Sequence, residues 1–413
     1  MSLVFERPYE FVPPIRRNFW PWLVQSLRLY DRHLRKNEGV IDSEIRHLDR
    51  FKASLDAGHG IVLAPNHCRY ADPLILGWPA RELGIHVHAM ASWHLFNQNR
   101  FESFALRAMG AFSVFREGND RQSIETAVDV LVKGTRPLIL FPEGTMNRTN
   151  DSLKPLLDGV AFIARTAAKR RQKKLAEQNG NADVGSGKVV IHPVGIKYLC
   201  IGDIEQWAHR QLDEFEKQLG WTHMPERDVR HRTIQLAEAQ LALKEAQYFG
   251  RSQNGDLPTR RDALIEHLLA ITESEMKLDN ASSDVRERVR QIRTAVSTRF
   301  FDTETKPEEK RQLRRFVVAA DLAQAISSFP DNYVMAGQAT DTRIVETIQR
   351  LQETVTGKAD QSMPLKAVIE FAPAIEVSPK RPPRGEPDPV MQSLTSSLED
   401  MLERLAKEAR PVA

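Results

Sequence analysis

Residues 61 to 72 read IVLAPNHCRYAD and join a short apolar run to a histidine and an aspartate. Residues 61–64 lie between glycines and Pro65 and are too few for a helix, so they predict a buried strand. Asp72-Pro73 is typical of a helix start, with Asp72 as N-cap and residues 74–83 as the helix. We therefore expect His67 and Asp72 to face each other across a strand-to-helix turn.

This pair predicts a general base with an orienting carboxylate. A neutral imidazole has a pKa near ~6.5 and accepts a proton at physiological pH, while a carboxylate on its other nitrogen selects the tautomer. From these residues alone a second interpretation stays open, in which Asp72 only caps a helix and His67 only fills a turn.

The composition is that of a globular protein with two or three domains. The chain has 413 residues, 41% of them hydrophobic and 27% charged, and a formal net charge of +3. This small charge does not support a nucleic-acid-binding surface. Cys68 and Cys200 lie too far apart in the sequence to suggest a disulfide framework or a metal site, so we expect no metal and a reducing compartment.

Strand and helix patterns alternate between residues 60 and 145. Strands are predicted at 85–90, 111–116 and 137–141, with helices at 98–109 and from Asn119 or Asp120 to Lys133. Repeated units of this kind imply a largely parallel sheet flanked by helices. Three polar residues would then meet at one sheet edge, where open α/β folds bind ligands: His67, Arg116 and Glu143.

The first 40 residues combine aromatic and basic side chains. Residues 14–35 contain Phe19, Trp20 and Trp22 among arginines, which predicts an interfacial helix on anionic lipid. An ordinary amphipathic helix packed on the protein itself is the alternative. No apolar run is long enough to span a bilayer and no secretory signal is evident, so we expect a peripheral protein on the cytoplasmic face of a membrane.

The remainder predicts a helical insertion in an α/β core. Residues 158–171 read as helix, 179–187 as an exposed loop and 188–198 as a strand interrupted by Pro193. Six helical stretches follow, and strand character returns at 365–371 and 375–377, before a proline-rich connector and a last amphipathic helix. The predicted units are a membrane-interface segment at 1–40, the α/β core at 41–199, the insertion at 200–363 and a return to the core at 364–413.

Four sequence blocks occur in a characteristic order. They are Asn66-His67 with Asp72, the strand GAFSVFR ending at Arg116, the turn FPEGT at residues 141–145, and IHPVGI at residues 191–196. This set resembles the glycerolipid acyltransferases, the lysophosphatidate-acyltransferase-like family, over roughly residues 40–200 and the returning segment near 365–408.

The resemblance implies acyl transfer in phospholipid synthesis, from acyl-CoA or acyl carrier protein as co-substrate and without a cofactor. The acceptor would be a lysophospholipid hydroxyl, with 1-acyl-glycerol-3-phosphate favoured. His67 would take its proton and Asp72 would orient His67. The substrate-binding residues would be Asn66, Arg116, Glu143, Gly144 and Thr145, with Arg116 on phosphate and the Glu143 carboxylate on an acceptor hydroxyl or on Arg116. Because a thioester is already activated, Cys68 is not needed as a nucleophile.

Two departures from the family pattern concern the acceptor. Met146-Asn147-Arg148 follows FPEGT where the family usually has Arg-Ser, and Asp158 precedes Gly159 where a lysine is common. Other readings therefore stay open: glycerol 3-phosphate or another lipid hydroxyl as acceptor, thioester hydrolysis, or a catalytically silent lipid-binding scaffold. The insertion at 200–363 is foreign to the minimal family, and the sequence does not assign it a role.

Overall fold

The apolar run at residues 61–64 lies inside a buried central strand. The computed structural model describes residues 5–118, 120–179, 187–222, 227–279, 282–383 and 385–412. In this part of the chain eight strands form one sheet, in the order β1-β7-β6-β2-β5-β3-β4 with β8 beside β6. The strands are β1 Val40–Arg46, β2 Gly60–Pro65, β3 His88–Ser92, β4 Ala111–Val114, β5 Leu138–Ile139, β6 Val189–Cys200, β7 Leu365–Phe371 and β8 Ile375–Glu376.

Helices cover the sheet and extend beyond it. They are α1 Phe19–Ser26, α2 Leu29–Asn37, α3 Leu48–Asp56, α4 Asp72–Ile75, α5 Gly77–Glu82, α6 Arg100–Ala108, α7 Arg121–Lys133, α8 Gly159–Asn179, α9 Ile204–Gln218, α10 Val229–Phe249, α11 Leu257–Met276, α12 Val285–Phe300, α13 Pro307–Ile326, α14 Asp341–Thr356 and α15 Pro389–Ala406. A 3₁₀ helix spans Trp93–Asn97.

The predicted α/β fold with a largely parallel sheet is confirmed. Strands β6, β2, β5, β3 and β4 run parallel to one another, whereas β7 pairs antiparallel with β6 and parallel with β1. The carboxyl ends of β2, β4 and β5 therefore meet at one edge of the sheet. The loops that follow these strands carry His67, Arg116 and Glu143.

Strand β6 differs from its prediction because Pro193 does not interrupt it. The strand is continuous from Val189 to Cys200, and the carbonyl of Pro193 accepts a hydrogen bond from the amide of Ala372 at 3.0 Å. A residue's nitrogen and carbonyl point to the same side of a strand, so the proline nitrogen faces the turn between β7 and β8. No ladder hydrogen bond is required there, which is where proline is tolerated in a sheet.

The helical insertion connects two neighbouring antiparallel strands, β6 and β7. Its outer helices α11, α12 and α13 share a separate apolar cluster that includes Leu268, Ile292 and Val317. Helices α9 and α14 instead join the main core beside the sheet, through residues such as Trp207 and Ile348. The insertion is therefore anchored to the main core by α9, α14 and residues of α10, whereas α11, α12 and α13 pack around a core of their own.

Helix α15 packs on the core, and the helices near the amino terminus differ from their prediction. Helix α15 buries the apolar face predicted for it, and Met401 approaches Gly195 of β6 closely. Near the amino terminus, the single predicted helix is wrong: α1 and α2 are separated at Arg28, whose φ of 50° places it in the left-handed region. The predicted loop at 179–187 lies mostly outside the described residues.

Candidate active site

His67 and Asp72 meet as the sequence predicts. The Nδ1 atom of His67 lies 2.8 Å from Oδ2 of Asp72, and the side chains are 19% and 0% exposed. The imidazole stacks on Phe141 with ring centroids 4.0 Å apart. Since Nδ1 is committed to the carboxylate, Nε2 is the nitrogen that can accept a proton from a bound hydroxyl.

Asp72 organises the turn in a way that the helix-cap prediction missed. Its carboxylate does not cap α4, which begins at Asp72 itself and has no side-chain cap. Oδ2 instead accepts the backbone amides of Cys68 at 2.7 Å and Arg69 at 2.9 Å, and Oδ1 accepts the hydroxyl of Tyr198 at 2.6 Å. These donors hold the carboxylate in place and aim it at His67. The helix expected at 74–83 is divided into α4 and α5.

Glu143 is joined to the base through the backbone. Its buried carboxylate accepts the amide of His67 at 2.7 Å and the amide of Lys154 at 2.9 Å. Burial raises the pKa of Glu143 to about 7. The expectation that this carboxylate binds Arg116 is wrong, because Arg116 donates to the carbonyl oxygen of Gly144 at 2.6 Å.

The turn after β5 favours a glycine at position 144, because the backbone there is in the left-handed region. Gly144 has a φ of 69°, and a Cβ atom there would lie 2.3 Å from Leu157. Beside it, the hydroxyl of Thr145 is buried without a hydrogen-bond partner. The half-buried guanidinium of Arg116 faces the same turn, and burial lowers its pKa. A cation, a free hydroxyl and a tight turn therefore lie close together beside the base.

The buried side chain of Asn66 bonds to the backbone of strand β6. It is 1% exposed, its Nδ2 donates to the carbonyl of Ile196 at 3.0 Å, and its Oδ1 accepts the amide of the same residue at 2.7 Å. These bonds lock the turn onto strand β6. A direct substrate contact by Asn66 stays a prediction.

Cys68 lies beside the base but is not placed as a nucleophile. Burial raises the pKa of its thiol well above the ordinary range, and the neighbouring Asp72 raises it further. Among the described residues, no group of three or more histidine, cysteine, aspartate or glutamate side chains is arranged to hold a metal ion.

Several residues that support the site were not predicted from the sequence. Tyr198 lies on β6, 126 residues from Asp72, and nothing in its local pattern indicates that contact. The backbone amide of Asn147 donates to the carbonyl of His67 at 2.6 Å. Asn147 belongs to the stretch that departs from the family pattern. Phe141, whose ring packs on the base, is the first residue of the FPEGT block, so its contact with His67 could have been predicted from that motif.

The α/β part of the chain is similar to known proteins. Residues 43–197 match the profile of the protein family described as Acyltransferase. The chain is 35% identical over 113 residues to 1-acyl-sn-glycerol-3-phosphate acyltransferase of Bacillus subtilis (strain 168), covering 27% of this chain and 53% of that protein. It is 33% identical over 110 residues to the protein of the same name from Streptococcus pneumoniae (strain ATCC BAA-255 / R6), covering 27% and 38%. The matched part thus spans about half or less of these relatives.

Proposed function

Since residues 43–197 belong to the glycerolipid acyltransferase family, we propose that this protein transfers a fatty acyl group from a thioester donor to a hydroxyl of a lysophospholipid. The favoured acceptor is 1-acyl-glycerol-3-phosphate, and the donor is acyl-CoA or acyl carrier protein. The observation that carries the proposal is the 2.8 Å contact between His67 and a buried aspartate at the carboxyl edge of the sheet.

In the proposed reaction Nε2 of His67 takes the proton of the acceptor hydroxyl. The oxygen forms a bond to the thioester carbonyl carbon, the carbon–sulfur bond breaks, and the departing thiolate takes the proton from His67. Asp72 stabilises the imidazolium that forms between these steps. The buried, protonated thiol of Cys68 supports direct transfer without an acyl-enzyme.

A phosphate-bearing acceptor is supported by the surroundings of Arg116. Its guanidinium is half-buried and bonded to a neutral carbonyl, that of Gly144, so the residue brings positive charge to the turn. A planar guanidinium suits phosphate oxygens, which it can bind with two parallel hydrogen bonds. The proposed acceptor would place its phosphate here and its hydroxyl at His67.

Peripheral association with a membrane is part of the proposal. Phe19 and Trp22 on α1 are 54% and 55% exposed, and Leu27 is 54% exposed just beyond the helix. Arg16 and Arg17 precede this apolar surface in the sequence and are exposed. This combination suits the boundary between lipid headgroups and acyl chains. Among the described helices, none is both long and apolar enough to cross a bilayer.

An acceptor panel tests the proposed function. Purified protein is supplied with acyl-CoA or acyl carrier protein and with lysophosphatidate, glycerol 3-phosphate or a lysolipid that lacks phosphate, while released thiol and acylated lipid are measured together. We expect equal amounts of both products with lysophosphatidate. Thiol release without acylated lipid would identify a thioesterase, and no turnover with any pair would contradict the proposal.

Arg116→Ala tests whether the acceptor carries a phosphate group that binds at this residue. We expect it to raise KM for lysophosphatidate while leaving the KM for the acyl donor within about twofold, since a lost charged hydrogen bond costs about 1.5–3 kcal/mol. Equal KM values for lysophosphatidate in parent and variant would argue against phosphate at this position.

A further inference from the structure

The loop that follows the FPEGT turn is closed at its neck by hydrogen bonds. The carboxylate of Glu143 at one end accepts the amide of Lys154 at the other, at 2.9 Å, and Leu157 donates its amide to the carbonyl of Pro142 at 2.8 Å. The same carboxylate accepts the amide of His67, and Asn147 within the loop holds the carbonyl of His67. The backbone amide and the backbone carbonyl of His67 are therefore both hydrogen-bonded to residues of this loop.

A side chain of the helical insertion bonds to both ends of the same neck. Nη1 of Arg286, on α12, donates to the carbonyl of Glu143 at 2.9 Å and to the carbonyl of Pro155 at 2.7 Å. Its Nη2 donates to Asp284 at 2.9 Å, and Asp284 also caps α12 through the amide of Arg286. The side chain of Arg286 is 15% exposed. Its bond to Asp284 holds the guanidinium against the start of α12.

Other contacts join the insertion to the loops of the site. Arg343 of α14 donates to Asp151 at 2.7 Å, and Gln349 of the same helix accepts Arg69 at 2.9 Å. Arg69 lies between His67 and Asp72 in the sequence, and Asp151 lies in the loop closed at Glu143. The insertion therefore contacts both of the loops that hold the base, and Arg286 bonds directly to the carbonyl of Glu143.

We propose that the helical insertion is a support of the active site and that Arg286 is its positioning residue, clamping the neck of the Glu143–Pro155 loop so that His67 keeps its place. Arg286 acts through backbone carbonyls and does not need to touch substrate. This proposal goes beyond the function proposed above, although the kinetic part of its test rests on that function.

The test compares Arg286→Gln with a matched control, Arg290→Gln. Arg290 lies one turn further along α12, is 48% exposed and pairs with Glu287 on the surface. Two milder variants accompany them: Arg286→Lys keeps the charge, and Asp284→Asn keeps a helix cap while weakening the orientation of the guanidinium. Amide hydrogen exchange is measured on peptides covering His67 and residues 143–157, together with kcat and KM for both substrates.

We expect faster exchange in both peptides for Arg286→Gln and parent-like exchange for Arg290→Gln. A displaced base should lower kcat on the order of ten- to a hundred-fold while the KM for the acyl donor stays within about twofold. Arg286→Lys and Asp284→Asn should lie between Arg286→Gln and the parent in both measurements.

The outcomes that overturn the proposal are distinct from a failure of the proposed function. Parent-like exchange in Arg286→Gln would show that Arg286 does not hold the loop. Equally accelerated exchange in Arg290→Gln would show that the effect is a general loosening of α12. Faster exchange with unchanged kcat would show that the loop does not position the base. If the parent acylates no acceptor, the proposed function fails, whereas hydrogen exchange still decides whether Arg286 holds the loop.

Discussion

The backbone amide of His67 donates a 2.7 Å hydrogen bond to the buried carboxylate of Glu143, 76 residues further along the chain. Two blocks that the sequence analysis treated as separate contributors thus form one unit. Glu143 supports the base through the backbone amide of His67, and the Arg116 guanidinium bonds to the next carbonyl of the turn, that of Gly144. The expected role of Glu143 in holding an acceptor hydroxyl stays a prediction.

Because the Glu143 carboxylate is buried, the free energy of unfolding should depend on pH. Its pKa rises from 4.5 to about 7 in the folded protein, so the folded state holds the proton more tightly than the unfolded state. The stabilisation from that proton is complete below about pH 4.5 and is lost as the pH rises through 7, by on the order of 3 kcal/mol.

Urea unfolding of the parent and of Glu143→Gln between pH 5 and 8 tests this dependence. Glutamine does not ionise, so the free energy of unfolding of the parent minus that of the variant should fall as the pH rises. A difference that stays flat over this interval would show that Glu143 titrates in its ordinary range.

His67→Ala should abolish acyl transfer and leave the fold intact. General-base catalysis contributes roughly 10²- to 10⁴-fold, and Asp72 retains its bonds to the amides of Cys68 and Arg69 without the imidazole. The rate of acylated-lipid formation measures the loss, while melting temperature and liposome co-sedimentation serve as controls. Turnover equal to that of the parent would reject the mechanism.

Asp72→Asn should lower both activity and stability. Its amide nitrogen would face groups that now donate to the carboxylate, and each buried donor left unpaired costs about 1–3 kcal/mol. Tyr198→Phe is the matched comparison, since it removes one donor to Asp72 and leaves the His67 contact. We expect it to cost about 0.5–1.5 kcal/mol of stability and much less activity. Equal losses of kcat in the two variants would contradict an orienting role for Asp72.

Replacing Phe19 and Trp22 with serine should weaken binding to anionic liposomes. Full burial of a large apolar side chain contributes about 1.5–3 kcal/mol, so each substitution should lower the partition coefficient on the order of tenfold. Leu243→Ser is the control, because Leu243 is 60% exposed on α10 in the insertion. Co-sedimentation equal to that of the parent would show that α1 does not enter the lipid.

Trp20 is less suitable for this test than its sequence suggests. Its ring is half-buried and packs edge-on against Phe104 of α6 at 5.1 Å, so its replacement would also disturb the fold. The sequence pattern identified the aromatic residues, and only the packing distinguishes those that face outward from those that hold α1 in place.

The amino-acid sequence by itself determined the α/β class, the helical stretches of the insertion and the pairing of His67 with Asp72. These features rest on local information, namely the period of apolar residues and the short reach of a turn. Parallel strands also bring their carboxyl ends to one edge of the sheet, which placed Arg116 and Glu143 along the same edge as His67.

Only the tertiary structure decided how that pair is held. Asn66 bonds to Ile196 because of the register between β2 and β6, and Arg286 reaches Glu143 because the insertion folds back over the sheet edge. Such contacts depend on how distant segments dock, and an arginine that binds a backbone carbonyl needs no partner pattern in the sequence. Local periodicity therefore identified the groups that carry out the chemistry, whereas long-range packing selected the groups that fix their positions.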